Sequence, residues 1–323
     1  MNLALLAIAV GGAVVIGMVA WFGALSIGME VLAAGWIIPL TTALLVFQLY
    51  LSAVAWRISM DVAIPGLSRF LRIRWIREAV NSMLPVAQLG GNLVGIRLLT
   101  QRRVGGVRAA AGTVLDLTIE ALTQFLFTLA GFVVLAVIDS DRSWAPWVGG
   151  VVLTGALGVG GFILAQRIGL MRLVEVLADK LASMFPAFAF GGAAGLHDEL
   201  LQLQRNPRAL LKASSLHLFA WIFGTIEVWL ALTAMGQQPG IAEAFVIESL
   251  GMAARSAGFA VPGALGVQEG GLIVVCGLFG INPDTAIALS MLKRLREMVI
   301  GIPGLVAWQW SEGKRIVRKK RVN

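Results

Sequence analysis

The segment 255–271 places an arginine, a glutamate and a Pro-Gly pair inside a stretch that is otherwise apolar enough to lie in a bilayer. The Pro262-Gly263 pair breaks a helix, and hydrocarbon offers no water to satisfy the backbone groups that the break releases. Such a break is tolerated at membrane depth only where protein or a polar cavity covers it. The segment therefore predicts a polar cavity within a membrane.

The composition places the whole chain in a membrane. Of its 323 residues 58% are hydrophobic and only 14% are charged, and several apolar runs reach the roughly 20 residues that a helix needs to cross a bilayer. We predict an all-α polytopic bundle, with residues 1–323 forming one integral membrane domain. The six predicted full spans are 3–25, 36–56, 109–138, 147–165, 214–234 and 284–310, and the two broken or re-entrant segments are 79–99 and 243–280.

The net charge of +8 is distributed in a way that predicts orientation. Lys and Arg concentrate in residues 57–77, 97–108, 167–212 and 314–321, and basic connections face the cytoplasm. Both termini are therefore expected inside, and no nucleic acid is expected as a partner. We predict that the basic tail 314–323 contacts anionic lipid head groups. Apolar residues at helical spacing in 167–213 predict an amphipathic cytoplasmic connection that lies on the membrane surface or packs on neighbouring loops.

The two broken segments resemble each other. Pro85 and Pro262 are each followed by glycines and then, seven residues on, by a polar residue, Asn92 or Glu269. On the predicted topology the segments enter from opposite sides, and inverted repeats with broken helices are typical of transporters. Two proline-kinked spans that pack through glycine are the alternative. The residues predicted to form the breaks are Pro85, Gly90, Gly91, Pro262, Gly263 and Gly266.

Ionisable residues also occur inside predicted spans. Asp116 and Glu120 are four residues apart and share a helix face. Because an ionised group near the bilayer centre costs about 2.5–3.5 kcal/mol, these acids should face a cavity, pair with a base or carry a proton. We predict that Asp116, Glu120 and Glu248 are coupling residues, with Glu269 as a further carrier of the proton.

Arginines in the C-terminal half are candidates for head-group binding. Guanidinium groups match phosphate oxygens bidentately, so Arg255, Arg294 and Arg296 are predicted to hold a phosphate or another anionic lipid head group. Structural salt bridges between helices are the alternative for each pair. The predicted substrate-binding residues are Arg255, Arg294, Arg296, Glu269, Gln268, Asn92 and Gln88.

Several kinds of chemistry lack their motifs in this sequence. Cys276 is the only cysteine, and His197 and His217 have no metal-ligand spacing around them, so no metal is expected. The phosphate-binding, nucleophile-elbow and dinucleotide motifs are also absent, so no nucleotide cofactor is expected. A membrane-embedded enzyme that modifies lipid remains an alternative hypothesis, although no spacing singles out a catalytic pair.

Three segments carry a family resemblance: 81–99, with Leu-Pro-Val-Ala-Gln-Leu-Gly-Gly; 253–271, with Val-Pro-Gly-Ala-Leu-Gly-Val-Gln-Glu-Gly-Gly; and 293–304. They resemble the lysylphosphatidylglycerol synthase transmembrane or flippase-like family, most closely its hopanoid-biosynthesis-associated HpnL branch. The resemblance implies an integral protein of a bacterial inner membrane, linked to moving lipids between leaflets. Members that make lysylated lipid carry a separate soluble transferase domain, and this sequence ends at Asn323 without one. We therefore expect no enzyme activity from this chain.

The leading functional hypothesis is translocation of an anionic or isoprenoid-type lipid, with a hopanoid-related lipid as the narrower candidate. Asn92 stands where the family often has an acid, so we do not assign a proton to that position. The hypothesis from a different class is a non-catalytic membrane partner that docks a lipid-biosynthesis enzyme through 167–212.

Overall fold

The computed structural model describes residues 16–17, 20–21, 23–62, 65–84, 90–138, 145–168, 195–259 and 261–320. The side chains of residues 145–148, 151, 262 and 312–320 are not part of that description. Throughout these ranges the regular structure is helical, without a strand, as the sequence predicts.

From residue 24 to residue 138, the N-terminal half contains two linked helices, two shorter helices after them and then one long helix. Helix α1 (Ala24–Ala34) continues through the 3-10 turn Gly35–Ile37 into α2 (Ile38–Ser59), whose first turn contains a proline. A first turn tolerates proline because its N–H would have no helical partner there. Three helices follow: α3 (Leu67–Met83), α4 (Gly90–Thr100) and α5 (Gly106–Ile138).

The C-terminal half starts with α6 (Ala145–Arg167) and the short α7 (Leu196–Gln204). The Asn206 side chain accepts a hydrogen bond from the Ala209 N–H at 3.1 Å and so caps the next helix, α8 (Pro207–Ala234). Helix α9 (Ile241–Ala257) leads into the 3-10 turn Pro262–Ala264. The last two helices are α10 (Val267–Gly277) and α11 (Pro283–Lys320).

Within the described residues, three helical stretches are long and apolar enough to cross a membrane: Ala24–Ser59, Gly106–Ile138 and Pro207–Ala234. They contain the predicted spans 36–56, 109–138 and 214–234, so the protein is a multi-pass membrane protein. The predicted span 147–165 lies in α6, whose apolar portion Val152–Arg167 is shorter. The predicted span 284–310 lies in α11, and most of 3–25 lies outside the described residues.

One order of helices occurs twice along the chain. Helices α3 and α9 each have 17 residues, and the helices that follow them, α4 and α10, each have 11. A long helix comes next in both halves, α5 with 33 residues and α11 with 38. The interruption between α9 and α10 contains the predicted break at Pro262. The one between α3 and α4 contains Pro85, and residues 85–89 lie outside the described residues.

The helix α7 is held against the long helix α5. Its residues Leu196, Leu200 and Leu203 form a buried apolar cluster with Leu115 and Ile119. Within the predicted connection 167–213, residues 196–204 are therefore a helix packed on α5, and residues 207–213 form the start of α8. Residues 169–194 of that connection, and the tail residues 321–323, lie outside the described residues.

Candidate functional site

A network of buried charges joins α3 to α5. The Arg74 Nη1 donates to Asp116 Oδ2 at 3.0 Å, and the Arg77 Nη1 donates to the same oxygen at 2.7 Å. Asp116 is fully buried, and the two arginines are 3% and 2% exposed. A carboxylate that accepts two charge-assisted bonds meets the requirement that an acid at this depth pair with a base.

Glu120 lies one turn further along α5 and closes the same network. The Arg74 Nη2 donates to its Oε1 at 3.0 Å, and Arg77 lies 3.6 Å from its Oε2. On the opposite side of Asp116, His217 of α8 places its Nε2 3.1 Å from Oδ1. Arg77 also stacks over the Trp56 ring, with its Cζ 4.8 Å from the ring centroid. Helices α3, α5 and α8 therefore meet at these two acids, and α2 contacts the network through Arg77.

A second network surrounds Glu269 at the start of α10. Its Oε2 accepts the Gly266 N–H at 2.8 Å and caps the helix, and its Oε1 accepts the Arg294 Nε–H at 2.8 Å. Oε1 also accepts the Ser290 hydroxyl at 2.7 Å. The Arg294 Nη1 reaches the Gly263 carbonyl at 3.0 Å, so the break in the helix is fastened to α11.

Arg255 connects the end of α9 to both following helices. Its Nη1 donates to Glu297 Oε1 and to Gln268 Oε1, each at 2.7 Å. The Gln268 amide in turn donates to the Ser290 hydroxyl at 2.8 Å. Two further buried ion pairs hold neighbouring helices together: Lys293 of α11 with Glu248 of α9, and Arg296 of α11 with Glu227 of α8.

A cavity of about 290 Å³ lies between the two broken segments. Charged residues from α3, α5 and α9 line it, and Asn92 and Gly263 contribute from the two breaks. Its charged and amide lining residues are Arg74, Arg77, Glu78, Asn81, Asn92, Glu120, Gln124 and Arg255. The polar cavity that the sequence predicts from its broken helices therefore has a counterpart in the structure, formed by both halves of the chain.

Glycine is required at three points around this cavity. Gly263 and Gly266 have φ values of 63° and 81°, a backbone region that residues with a side chain rarely adopt. At Gly91 the constraint is space, because a Cβ there would lie 2.1 Å from the Arg77 carbonyl oxygen and 2.5 Å from Asn81 Oδ1. The Asn81 Oδ1 accepts the Gly91 N–H at 2.8 Å, so a side chain of α3 is bonded to the backbone of the first turn of α4.

The structure separates the residues that the sequence predicted as one binding set. Arg255 and Asn92 line the cavity, whereas Arg294 fastens the break and Arg296 pairs with Glu227. Glu269 and Gln268 do not line the cavity, and each is hydrogen-bonded to Ser290.

Among the predicted coupling residues, Glu120 lines the cavity, and Asp116, Glu120 and Glu248 are all in ion pairs. Pro85 and Gln88 lie outside the described residues.

Sequence reasoning missed Arg74, Arg77, Glu78 and Asn81. It assigned the two arginines to a basic cytoplasmic connection, because charge counting treats every arginine as an orientation signal. The signal that could have found them is their spacing, since the four positions fall on one face of a helix. Among the described residues there is no group of three histidine, cysteine or acidic side chains that could hold a metal.

The sequence pattern of one family, described as "Lysylphosphatidylglycerol synthase TM region", matches residues 6–304. The chain belongs to this family. Two relatives are each described as a UPF0104 membrane protein of Methanothermobacter thermautotrophicus. One is 24% identical over 285 residues, covering 80% of this chain and 79% of the relative. The second is 24% identical over 270 residues, covering 78% and 77%. No solved structure matches the chain.

The match to the lysylphosphatidylglycerol synthase TM region family extends from before α1 into α11. It therefore includes both broken segments and all the networks described above. The family thus accounts for the resemblance that the three sequence segments carry. The assignment to the HpnL branch stays a prediction.

Proposed function

We propose that this protein moves a membrane lipid between leaflets, with the lipid head group passing through the cavity between the broken helices. The observation that carries the proposal is the cavity itself, a polar space lined from both halves of a multi-pass helical membrane protein. Polar groups at such a depth are costly unless they serve a path or a site. The name of the family contains that of a phospholipid, which supports a lipid as the substrate class.

The size of the cavity favours a head group over a whole lipid. Ligand pockets for small molecules measure about 300–1,000 Å³, and 290 Å³ lies at the lower limit. The acyl or isoprenoid chains would remain in the bilayer, beside the apolar faces that α5 and α8 expose. The candidate substrates are an anionic or isoprenoid-type lipid, and the HpnL resemblance narrows the second class to a hopanoid-related one.

Arg255 is the predicted head-group ligand that reaches the cavity. Its guanidinium is bonded to Glu297 and Gln268, and its side chain is 16% exposed. A phosphate oxygen can join such a fork or displace one carboxylate oxygen from it. Arg294 and Arg296 then act by fixing α11 to the break and to α8, and Asn92 adds an amide from the opposite half of the cavity.

The repeated order of helices favours alternating access by two halves related by inversion. Each half has a broken pair of 17 and 11 residues followed by a long helix, and such repeats rock against each other in many transporters. The distribution of Lys and Arg favours an orientation with both termini in the cytoplasm. The family resemblance implies that the membrane is a bacterial inner membrane. We propose that the chain transports lipid without chemically changing it.

The test is lipid movement in vesicles that contain the purified protein. Fluorescent phosphatidylglycerol, a fluorescent polyprenyl phosphate and fluorescent phosphatidylcholine would be compared, with a membrane-impermeant quencher reporting the outer leaflet. The Arg255→Gln/Glu297→Gln variant removes both charges of the cavity pair, so that no single buried charge is left behind. The matched control is Arg108→Gln/Glu199→Gln, which removes a pair between α5 and α7 that does not line the cavity.

The wild type and the control should move one of the first two lipids faster than protein-free vesicles do. The cavity variant should be slower by about tenfold, as expected for the loss of a charge-assisted hydrogen bond of about 1.5 kcal/mol. Rates equal to those of empty vesicles for every lipid would reject translocation and leave the non-catalytic partner of a lipid-modifying enzyme. A chemically altered lipid would support the enzyme hypothesis.

A further inference from the structure

The cavity reaches the surface of the protein at the end of α9. Ser256 lines the cavity and is itself exposed, and Ala257 and Phe259 beside it are exposed as well, the phenylalanine to 63%. The Phe259 N–H bonds to the Ser256 carbonyl at 3.2 Å, so the ring belongs to the turn that carries Ser256. In a membrane protein, an exposed apolar rim of this kind favours hydrocarbon over water outside the opening.

Helix α5 forms the other side of this opening. The Gln124 amide lines the cavity and donates to the Met252 carbonyl at 3.1 Å and to the Ser256 hydroxyl. About two helical turns further along α5, the same two helices are in closer contact, since a Cβ on Gly131 would lie 1.9 Å from the Ser249 Oγ. A glutamine bridge can break and form again by side-chain rotation, whereas the contact at Gly131 can open only if a helix moves. We call Gln124, Ser256, Ala257 and Phe259 the mouth of the cavity.

The equivalent place in the other half of the chain is closed. Met83 and Ala257 are the last residues of the two 17-residue helices, α3 and α9. Gly301 and Gln124 each lie eighteen positions after the start of their long helices, α11 and α5. Met83 is packed on Gly301, where a Cβ would lie 2.7 Å from the Met83 Cγ, whereas Ala257 is exposed beside Gln124. The seam between α3 and α11 is therefore shut where the one between α5 and α9 is open.

Two more contacts hold α3 against α11. The Trp75 indole N–H donates to the Ile300 carbonyl at 2.9 Å, and a Cβ on Gly304 would lie 2.5 Å from the Ala79 Cβ. On the topology that the basic residues predict, α3 and α9 enter the membrane from opposite sides. The open mouth and the closed seam would then serve opposite leaflets.

We propose that a lipid enters the cavity sideways from the bilayer through the mouth between α5 and the end of α9. The seam between α3 and α11 is the corresponding mouth toward the other leaflet, closed in this conformation. The proposal rests on the proposed lipid transport and names its route. Only a lateral opening lets the polar head group reach Arg255 while the apolar chains stay in hydrocarbon, beside Phe259.

The first test locks the closed seam. Cys276 is the only native cysteine, so Met83→Cys/Gly301→Cys is made together with Cys276→Ala. A Cβ at position 301 lies close enough to residue 83 for the two Cβ atoms to meet the separation of about 3.5–4.5 Å that a disulfide spans. Oxidation should form the disulfide, seen as a cross-linked peptide by mass spectrometry, and reduce lipid movement to the rate of protein-free vesicles.

Reduction of the disulfide should restore lipid movement, because alternating access requires the two mouths to open in turn. Oxidant should not change the rate of Met83→Cys with Cys276→Ala, which cannot form the cross-link. An unchanged rate in the fully cross-linked protein would overturn the closed seam as a mouth. Failure of the two cysteines to react would contradict the contact itself.

A second test does not need transport. A nitroxide spin label on Phe259→Cys, again with Cys276→Ala, reports whether the rim of the mouth contacts hydrocarbon or water. The label should be relaxed by oxygen as a label on Val133→Cys is, and not by an aqueous nickel chelate as a label on Asp61→Cys is, since Val133 is an exposed apolar residue of α5 and Asp61 lies in a basic connection. Relaxation by the nickel chelate would mean that the mouth opens to water and would overturn the lateral route. An oxygen-relaxed rim in a protein that moves no lipid would reject transport and keep the lateral mouth.

Discussion

Asp116 and Lys293 occupy the same position in their helices and carry opposite charges. Helix α5 begins at Gly106 and α11 at Pro283, so each residue lies ten positions after the start of its helix. Each also pairs with the preceding 17-residue helix: Asp116 with Arg74, seven residues into α3, and Lys293 with Glu248, seven residues into α9. The two halves therefore use one arrangement of ion pairs with reversed polarity, which is the most specific structural support for the proposed repeat.

The pair between Lys293 and Glu248 should behave as a unit. Lys293→Met alone leaves a buried carboxylate without its base and is expected to cost about 3–5 kcal/mol of the free energy of unfolding. Lys293→Met combined with Glu248→Gln removes both charges and should recover at least about 1 kcal/mol of that loss. Thermal unfolding in detergent, followed by tryptophan fluorescence, measures both variants. Losses that simply add would contradict the pairing.

Asp116 should be the most sensitive acid of the first network. It contacts two arginines and a histidine and is fully buried, whereas Glu120 is 25% exposed and shares the same two arginines. Asp116→Asn is therefore expected to lower the unfolding midpoint more than Glu120→Gln does, because it leaves two buried guanidinium groups undercompensated. Chemical unfolding of the two variants side by side checks the order, and the reverse order would refute this account of the network.

Gly91 should not tolerate a methyl group. The added Cβ would meet the Arg77 carbonyl oxygen at 2.1 Å, and backbone there cannot move without disturbing the Arg77–Asp116 pair. Gly91→Ala should cost about 1–3 kcal/mol or more, as overpacking does. Gly28→Ala on α1 is the control, because a Cβ there meets nothing within 4 Å and alanine favours a helix by up to about 1 kcal/mol. Equal stability of the two variants would mean that α3 and α4 are not in close contact.

The sequence could predict where the broken helices and the polar stripe would lie. Pro262, Gly263 and Gly266 are local signals. Proline narrows the range of backbone conformations that a residue can adopt and glycine widens it, wherever in a sequence they occur. Asp116 and Glu120 stand out because acids are rare in an apolar run. In each case the informative property belongs to the residues themselves and does not depend on the fold.

The partners of those residues could not be predicted in the same way. Arg74 and Arg77 look like orientation signals by charge alone, and their burial against Asp116 depends on how α3 packs on α5. The sequence analysis also grouped Arg255 with Arg294 and Arg296. In the structure each of these arginines pairs with a different acid, and the acids Glu297, Glu269 and Glu227 lie on α11, α10 and α8. Such pairings are long-range properties of the packed bundle.

The most direct test of the account asks whether a lipid head group occupies the cavity. Ala121 lines the cavity and Ala136 is exposed further along the same helix, so Ala121→Trp fills the cavity while Ala136→Trp adds the same side chain outside it. Native mass spectrometry of the gently extracted proteins would identify the lipids that each retains. We expect one anionic or isoprenoid-type lipid to remain bound to the wild type and to Ala136→Trp, and to be lost from Ala121→Trp. The same bulk lipids on all three proteins would contradict the central claim.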